Sequence, residues 1–235
     1  MKIKEEVETF IFEVAKTANS VNIDSFVIDE HGIRGADDAR LVVMLNPSFD
    51  LTLPFEGIAV GDVPQFVQRY NIHKNNTPKS IELELDDNDE NVKSVKFNSK
   101  SLKIDFRCVN PDRINAPKKL NDEFLCAFTL EDDEIDMIKR GSVTMKADEV
   151  LFIKDNDETT VTMELCDVNK SKFTLTLQNE VDTEIDKCIF SNRYPVKALL
   201  AALKDSDSNT LEIGENGSLT IVKNGISIIM PPRVG

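Results

Sequence analysis

The chain has 235 residues, 40% of them hydrophobic but only 6% aromatic, with no Trp, two Tyr and thirteen Phe. That length suits one large domain or two ordinary ones with lean cores. With 28 Lys and Arg against 42 Asp and Glu the net charge is −14, which excludes a generally basic nucleic-acid coat while permitting a local basic patch.

No apolar run reaches the roughly 20 residues of a membrane span. The opening Met1-Lys2-Ile3-Lys4-Glu5-Glu6 has no apolar stretch of the secretory type, so a cytoplasmic, intracellular chain is expected. Cys108, Cys126, Cys166 and Cys188 are far apart, and His31 and His73 sit in no ligand spacing. Reduced thiols, no metal and no cofactor are the expectation.

Val7, Phe10, Ile11, Val14 and Ala18 fall on one face at helical spacing, predicting an amphipathic helix over 5–19. Period-two segments follow at Ser25–Ile28, Gly32–Arg34, Leu41–Leu45 and Phe49–Leu53, separated by Gly, Asn, Asp or Pro, and read as antiparallel strands. Asp62 and Pro64 then form a helix start, with Val63, Phe66, Val67 and Tyr70 on the buried face. Strands are predicted at Ser80–Leu85, Val92–Phe97 and Leu102–Cys108.

The stretch Cys108–Asp122, with two prolines, three asparagines and no periodicity, is the best linker candidate. It suggests a first domain over 1–108, a connector over 109–122 and a second domain over 123–235. After it the pattern repeats: a strand at Phe124–Thr129, then a helix over Glu131–Lys146 carrying Ile135, Ile138 and Val143. Strands follow at Val150–Lys154, Val161–Leu165 and Phe173–Leu177, with a longer segment ending at Ile189-Phe190. Asn192-Arg193-Tyr194-Pro195 reads as the opening of a second proline-started helix burying Val196, Leu199, Leu200 and Leu203. Strands at Leu211–Ile213, Leu219–Val222 and Ile226–Met230 close the chain.

Helix, about four strands, helix and three strands thus occur twice. Val7 and Ile135 are 128 positions apart, and Pro64 and Pro195 are 131 apart. This is an internal duplication, and the fold class is α+β with antiparallel sheets and four helices.

No nucleophile elbow, phosphate-binding loop, dinucleotide fingerprint or zinc-protease motif is present. The two histidines read as solvated turn residues, and no enzyme is expected. Asp86-Asp87-Asn88-Asp89-Glu90 has the composition of a calcium loop without its alternating ligand spacing, and reads as a charged hairpin tip. Glu131–Glu134 suits the first turn of a helix through the helix dipole. The informative charges are cations off the buried helix faces: Lys16, Arg69, Lys139, Arg140, Lys146, Lys197 and Lys204, with Arg193 just before the last helix. On charge alone, ordinary solubility is the better explanation of them.

The run Phe26–Val42, with Gly32-Ile33-Arg34-Gly35-Ala36-Asp37 at its centre, resembles the strand-turn-strand after the first helix of the sliding clamps of DNA replication. The tail Ile228-Ile229-Met230-Pro231-Pro232-Arg233-Val234 is similar to the Leu-Ala-Pro-Arg-Ile ending of PCNA-type clamps. Phe106–Pro111 followed by Ala116-Pro117-Lys118 resembles the run into the interdomain connector of the T-even-type phage clamps, the closer relatives. The chain departs at Ala36, where the clamp pattern has methionine, and at Pro231, where it has alanine.

This resemblance implies the DNA-clamp fold, with two similar domains per chain, sheets outside and two helices of each inside. It implies a homotrimeric ring of six domains that encircles duplex DNA without reading sequence and tethers the replicative DNA polymerase as a processivity factor. The partners would be duplex DNA, the polymerase, a clamp loader and the chain itself, with no membrane, in host cytoplasm if the source is a phage. Lys16, Arg69, Lys139, Arg140, Arg193, Lys197 and Lys204 would face DNA. Leu41, Val43, Ile114, Pro117, Ile229, Pro231 and Pro232 match a partner-peptide pocket, although Leu41 and Val43 read equally as sheet core. Leu102, Ile104 and Phe106 of one subunit would pair with Phe173, Leu175 and Leu177 of the next. The alternative is an acidic β-rich interaction protein, a virion component or a DNA mimic, without encirclement.

Overall fold

The computed structural model describes residues 1–75, 79–88, 90–119, 122–155, 158–166, 171–183 and 188–233. The chain divides into two compact units, Met1–Lys119 and Leu120–Gly235.

In the first unit α1 spans Glu5–Ser20, with Glu5, Glu6 and Glu8 in the first turn, where the helix dipole favours negative charge. Its inner face buries Val7, Ile11, Val14 and Ala18, and also Phe12 and Ala15, so the apolar stripe is wider than the sequence reading. Strands β1 (Ser25–Asp29), β2 (Gly32–Ala36), β3 (Val43–Asn46) and β4 (Ile58–Val60) follow. They pair antiparallel in the order β4-β1-β2-β3. Gly32 turns the β1–β2 hairpin at φ +94°, and a Cβ there would stand 2.1 Å from the Asn46 carbonyl oxygen, so only glycine fits.

Helix α2 (Val63–Lys74) starts as its sequence dictates, the Asp62 carboxylate accepting from the Gln65 N–H at 2.9 Å with Pro64 in the first turn. Phe66 packs edge-on against Phe106 with ring centroids 5.0 Å apart, and Phe97 joins the cluster. Each such burial stabilises by roughly 2–3 kcal/mol. The Tyr70 hydroxyl donates to Glu8 at 3.2 Å; burial and then the Glu8 charge push its pKa up to about 12. Strands β5 (Lys79–Leu85), β6 (Val92–Ser99) and β7 (Lys103–Arg107) form a second sheet with β7 at its edge. Residues 1–3 run along the other side of β5, with Leu83 N–H donating to the Met1 carbonyl at 2.7 Å.

The second unit contains β8 (Phe124–Thr129), α3 (Asp132–Met145), β9 (Glu149–Lys154), β10 (Thr160–Cys166), β11 (Lys172–Glu180), β12 (Phe190–Pro195), α4 (Val196–Leu203), β13 (Thr210–Gly214), β14 (Leu219–Lys223) and β15 (Ile226–Met230). Its first four strands after α3 pair as β11-β10-β9-β12, the arrangement of β3-β2-β1-β4 repeated. The last three pair as β15-β14-β13 and β8 lies beside β13, where residues 1–3 lie beside β5 in the first unit. The duplication predicted from the sequence is present in the order of helices and strands, with residues 1–3, joined to β5 by a single bridge at Lys2, standing where the second unit has the strand β8.

Two buried charges hold the helices of this unit. The Glu134 carboxylate is fully buried and accepts from the Glu131 N–H and the Gln178 N–H, both at 2.8 Å, satisfying the start of α3 and tying it to β11. The Lys223 ammonium donates to the Ala201 carbonyl at 3.1 Å and to the Lys204 carbonyl, closing the end of α4. Burial lowers its pKa, opposed by Asp205.

Five expectations are corrected. Phe49–Leu53 is no strand: Phe49, Leu51 and Leu53 are half-buried at alternate positions, yet among the described residues no neighbouring strand pairs with them, and Ile58–Val60 takes the place beside β1. The strand predicted at Leu41–Leu45 starts at Val43, where pairing with Ala36 begins. Asn192–Pro195 belongs to β12, in register with Glu149–Phe152, and α4 begins only after Pro195. Val143 is 76% exposed because the buried face of α3 runs through Glu134, Ile138 and Gly141. Gly141 lies so close to the sheet that a Cβ would meet Leu165 Cδ1 at 2.8 Å. His73 is fully buried near the end of α2, 5.6 Å from the Phe97 ring, and not a solvated turn residue.

Candidate functional site

The cations predicted to face DNA divide by their surroundings. Lys139 and Arg140 on α3 and Lys197 on α4 are exposed, and Lys204 is exposed where α4 ends. Arg140 forms an exposed i,i+4 pair with Asp136 at 3.8 Å, a contact of little energetic weight. Lys16 is exposed on α1 with its ammonium 4.8 Å from the Phe12 ring centroid. Arg69 is half-buried: its guanidinium lies 5.4 Å from the Phe106 ring centroid and donates to the Asp105 carbonyl at 2.6 Å. Arg193 stands on β12 rather than on a helix, 3.8 Å from Glu149.

The segments expected at the subunit contact are both at sheet edges, β7 beside β6 and β11 beside β10. On β7 Ile104 is half-buried and Phe106 buried, with Leu102 half-buried just before the strand. On β11 Phe173 and Leu175 are half-buried and Leu177 is buried. A groove of about 510 Å³ follows the open side of β7, lined by Asp62, Gln65 and Arg69 of the α2 region and by Asp105, Phe106 and Arg107.

Of the residues matched to a peptide pocket, Val43 is buried on β3 and Leu41 is 36% exposed in the turn before it. Ile114 is half-buried just after a 3₁₀ turn at Pro111–Arg113, and Pro117 is exposed. In the second unit Ile229 is buried on β15, Pro231 is exposed and Pro232 half-buried. The tail after them is fastened: Arg233 N–H donates to the Arg193 carbonyl at 2.9 Å and its guanidinium to Glu149 at 2.8 Å. Val234 of the tail motif and residues 120–121 of the expected connector lie outside the described residues.

The acidic hairpin tip closes on itself, with Asp86 accepting from the Glu90 N–H at 3.1 Å and from Asn91 at 3.3 Å. These bonds, the Glu90 N–H first, hold its carboxyl below the usual range. Asp89 lies outside the described residues. Among the described residues no group of three His, Cys, Asp or Glu could hold a metal, and no helix is long and apolar enough to cross a membrane. Burial and then the Asp105 charge push the Cys108 thiol up to about 12. Cys126 is pushed up by burial and then by a hydrogen bond with Cys188, so neither Cys108 nor Cys126 is an activated nucleophile.

The sequence reading passed over a cleft in the first unit of about 960 Å³, between residues 49–56 and the start of the linker. Arg34, ion-paired with Asp29, lines it and is only 5% exposed. The signal available in the sequence was two opposite charges flanking the tight turn at Glu30-His31.

No protein-family model and no curated protein sequence matches the chain. Solved structures do. PCNA of A. fulgidus, with the C-terminal region of FEN-1 bound, is 17% identical with a TM-score of 0.62, over 95% of this chain and 96% of that one. PCNA of Entamoeba histolytica is 14% identical with a TM-score of 0.62, over 95% of both chains. The β sliding clamp of C. crescentus is 13% identical with a TM-score of 0.68, over 97% of this chain but 64% of its own length. The fold of this chain is the sliding-clamp fold.

Proposed function

We propose that this chain is a sliding clamp: a homotrimer that closes head-to-tail around duplex DNA, holds it without reading sequence, and tethers a replicative DNA polymerase. The observation that carries the reading is that the duplicated fold leaves two different strand edges open, β7 in one unit and β11 in the other. Unlike edges from successive subunits make a heterologous contact, which closes into a ring when the rotation per subunit divides the circle. A chain built as two such units gives six units from three copies. Similarity to PCNA along almost the whole chain supports that count.

A ring that slides needs modest positive charge towards phosphate and a surface that otherwise repels DNA. Lys16, Lys139, Arg140, Lys197 and Lys204 are exposed helix-borne cations in a chain of net charge −14 and suit that division. Retention by topology requires no catalysis, so the chain is read as non-enzymatic. Tethering of the polymerase, delivery by a loader and a pocket for partner peptides follow from the same reading. The FEN-1 segment on the similar A. fulgidus structure supports the protein-partner part. The T-even-type phage subtype rests on the Phe106–Pro111 and Ala116–Lys118 runs.

The test is light scattering across a dilution series, followed by retention on nicked circular DNA before and after linearisation. Three copies of the 26.4 kDa chain give a species near 79 kDa, which should stay on circles and run off linear DNA. A monomer that binds circles and linear DNA alike, or neither, overturns the ring and favours the acidic interaction protein.

A further inference from the structure

Cys126 on β8 and Cys188 just before β12 meet in the core of the second unit. Cys126 and Phe128 share the buried face of β8, while Cys188 and Phe190 are buried on either side of the exposed Ile189. The Phe128 and Phe190 rings stack with centroids 6.2 Å apart. Two positions earlier on each stretch, the Cys126 and Cys188 thiols are hydrogen-bonded to each other. β8 and β12 belong to different sheets, so this contact joins one sheet to the other. A disulfide needs side chains that already point at each other, and hydrogen-bonded thiols do.

The surroundings set the order of reaction. Cys126 is fully buried, whereas Cys188 is 4% exposed and lies nearer to solvent, where a small oxidant arrives. Burial, then the hydrogen bond with Cys188 and then the Cys188 charge raise the Cys126 pKa and keep that thiol protonated. The Lys154 ammonium acts the other way and favours the Cys126 thiolate. Lys154 is itself buried, paired with Phe190 across β9 and β12, and donates to the Asp155 carbonyl at 2.7 Å. A cation held beside two sulfurs favours the negative charge that passes through them during oxidation. In a reducing compartment such a pair rests as thiols, and a disulfide formed there is transient and redox-sensing.

We propose that Cys126 and Cys188 are an oxidation site at which hydrogen peroxide closes a reversible disulfide, locking β8 to the start of β12. The Cys188 sulfur attacks one peroxide oxygen, the O–O bond breaks, and the departing hydroxide leaves as water with the Cys188 proton. The Cys126 sulfur then attacks the sulfur of the Cys188 sulfenic acid, the S–O bond breaks, and the second hydroxide leaves as water with the Cys126 proton. Two thiols are oxidised to one disulfide, and the peroxide is reduced to two waters. A small thiol such as glutathione reopens the bond by exchange. The loop so closed contains α3, β9, β10 and the open-edged β11. The site lies wholly within the second unit and does not depend on ring closure.

The test treats the full, reduced chain with hydrogen peroxide and maps its cysteines by proteolysis and mass spectrometry. Of the four free thiols, Cys126 and Cys188 should be lost together, in a crosslink within one chain that dithiothreitol reverses. A Cys108→Ala, Cys166→Ala double variant should behave alike. Its oxidised form should melt at least about 5 °C above its reduced form, because closing a long loop restricts the unfolded chain. With Cys188→Ala added, Cys126 should stay a thiol at the same dose of peroxide. Circular dichroism confirms that the variants fold, and the mapping of the parent chain needs no substitution. Crosslinks through Cys108 or Cys166, or between chains, would overturn the proposal. So would a Cys188 that proceeds to sulfinic acid without bridging, four thiols intact at a dose that oxidises free cysteine, or equal melting temperatures for the two forms. Ring assembly, read by mass, stands or falls separately.

Discussion

The guanidinium of Arg69 donates to the backbone carbonyl of Asp105, and that carbonyl points away from the rest of its sheet. Ser99 N–H donates to the Leu102 carbonyl and Cys108 N–H to the Lys93 carbonyl, which fixes the alternation along β7. The backbones of Ile104 and Phe106 therefore face β6, and those of Lys103, Asp105 and Arg107 face outward. One outward carbonyl is covered by Arg69 from α2, and the outward N–H groups are left for another strand.

Asp105→Pro follows from that alternation. The N–H it removes is an outward one, so β6–β7 pairing survives, as proline is tolerated on a free strand edge. The variant should fold, with an unchanged circular dichroism spectrum, and its mass by light scattering should fall from near 79 kDa to 26.4 kDa. A trimer that persists in this variant would remove β7 from the subunit contact.

Lys139→Glu combined with Lys197→Glu should leave mass and thermal stability unchanged, because both side chains are exposed. Retention on circular DNA should shorten. If both lysines neutralise phosphate, the slope of log affinity against log salt should also drop, by about 0.9 for each phosphate no longer neutralised. Equal retention by variant and parent would move the DNA-facing surface elsewhere.

Asp122 gathers four donors at the start of the second unit: the Asn216 N–H at 2.8 Å, the Asn216 side-chain amide at 3.2 Å, the Ser218 N–H at 3.1 Å and the Ser218 hydroxyl. Burial raises its pKa, but these hydrogen bonds outweigh burial and hold the carboxyl below its usual range. A carboxylate whose folded pKa is depressed contributes stability that is present above the unfolded value of about 3.9 and lost as pH falls through the folded value. Asp122→Asn should lower the melting temperature at pH 7, and the difference from the parent should close below about pH 4. A difference independent of pH would contradict this account.

Glu134→Ala removes the acceptor of two backbone N–H groups in a fully buried position. A destabilisation of about 2 kcal/mol is expected, read from denaturant unfolding. Hydrogen exchange should quicken first at the start of α3 and at Gln178 of β11, the two places that Glu134 joins. Protection unchanged at Gln178 would show that the tie is not formed.

The fold was legible where local chemistry and global packing agree. Asp62 and Pro64 marked the start of α2, the Glu131–Glu134 run marked α3, and the spacing of Val7 from Ile135 exposed the duplication. The errors came where periodicity was right and the partner was missing. Phe49–Leu53 alternates as a strand does, but alternation records burial on one side and does not supply a neighbour to bond. Asn192–Pro195 carried a helix-opening proline, yet its register with Glu149–Phe152 made it a strand that ends at that proline.

The sequence by itself determined the two-fold repeat, the four helices and the sign of the charge, because hydrophobic period, caps and composition are local properties. The tertiary structure decided which cations are free, which strands have open edges and where a cleft lies, because these depend on residues far apart in the chain. Arg69 reads as a surface cation until Asp105, 36 positions away, takes its guanidinium. Arg34 reads as a strand residue until the fold brings the 49–56 segment and the start of the linker to the cleft that it lines. Burial and pairing are properties of neighbours in space, and only folding chooses those neighbours.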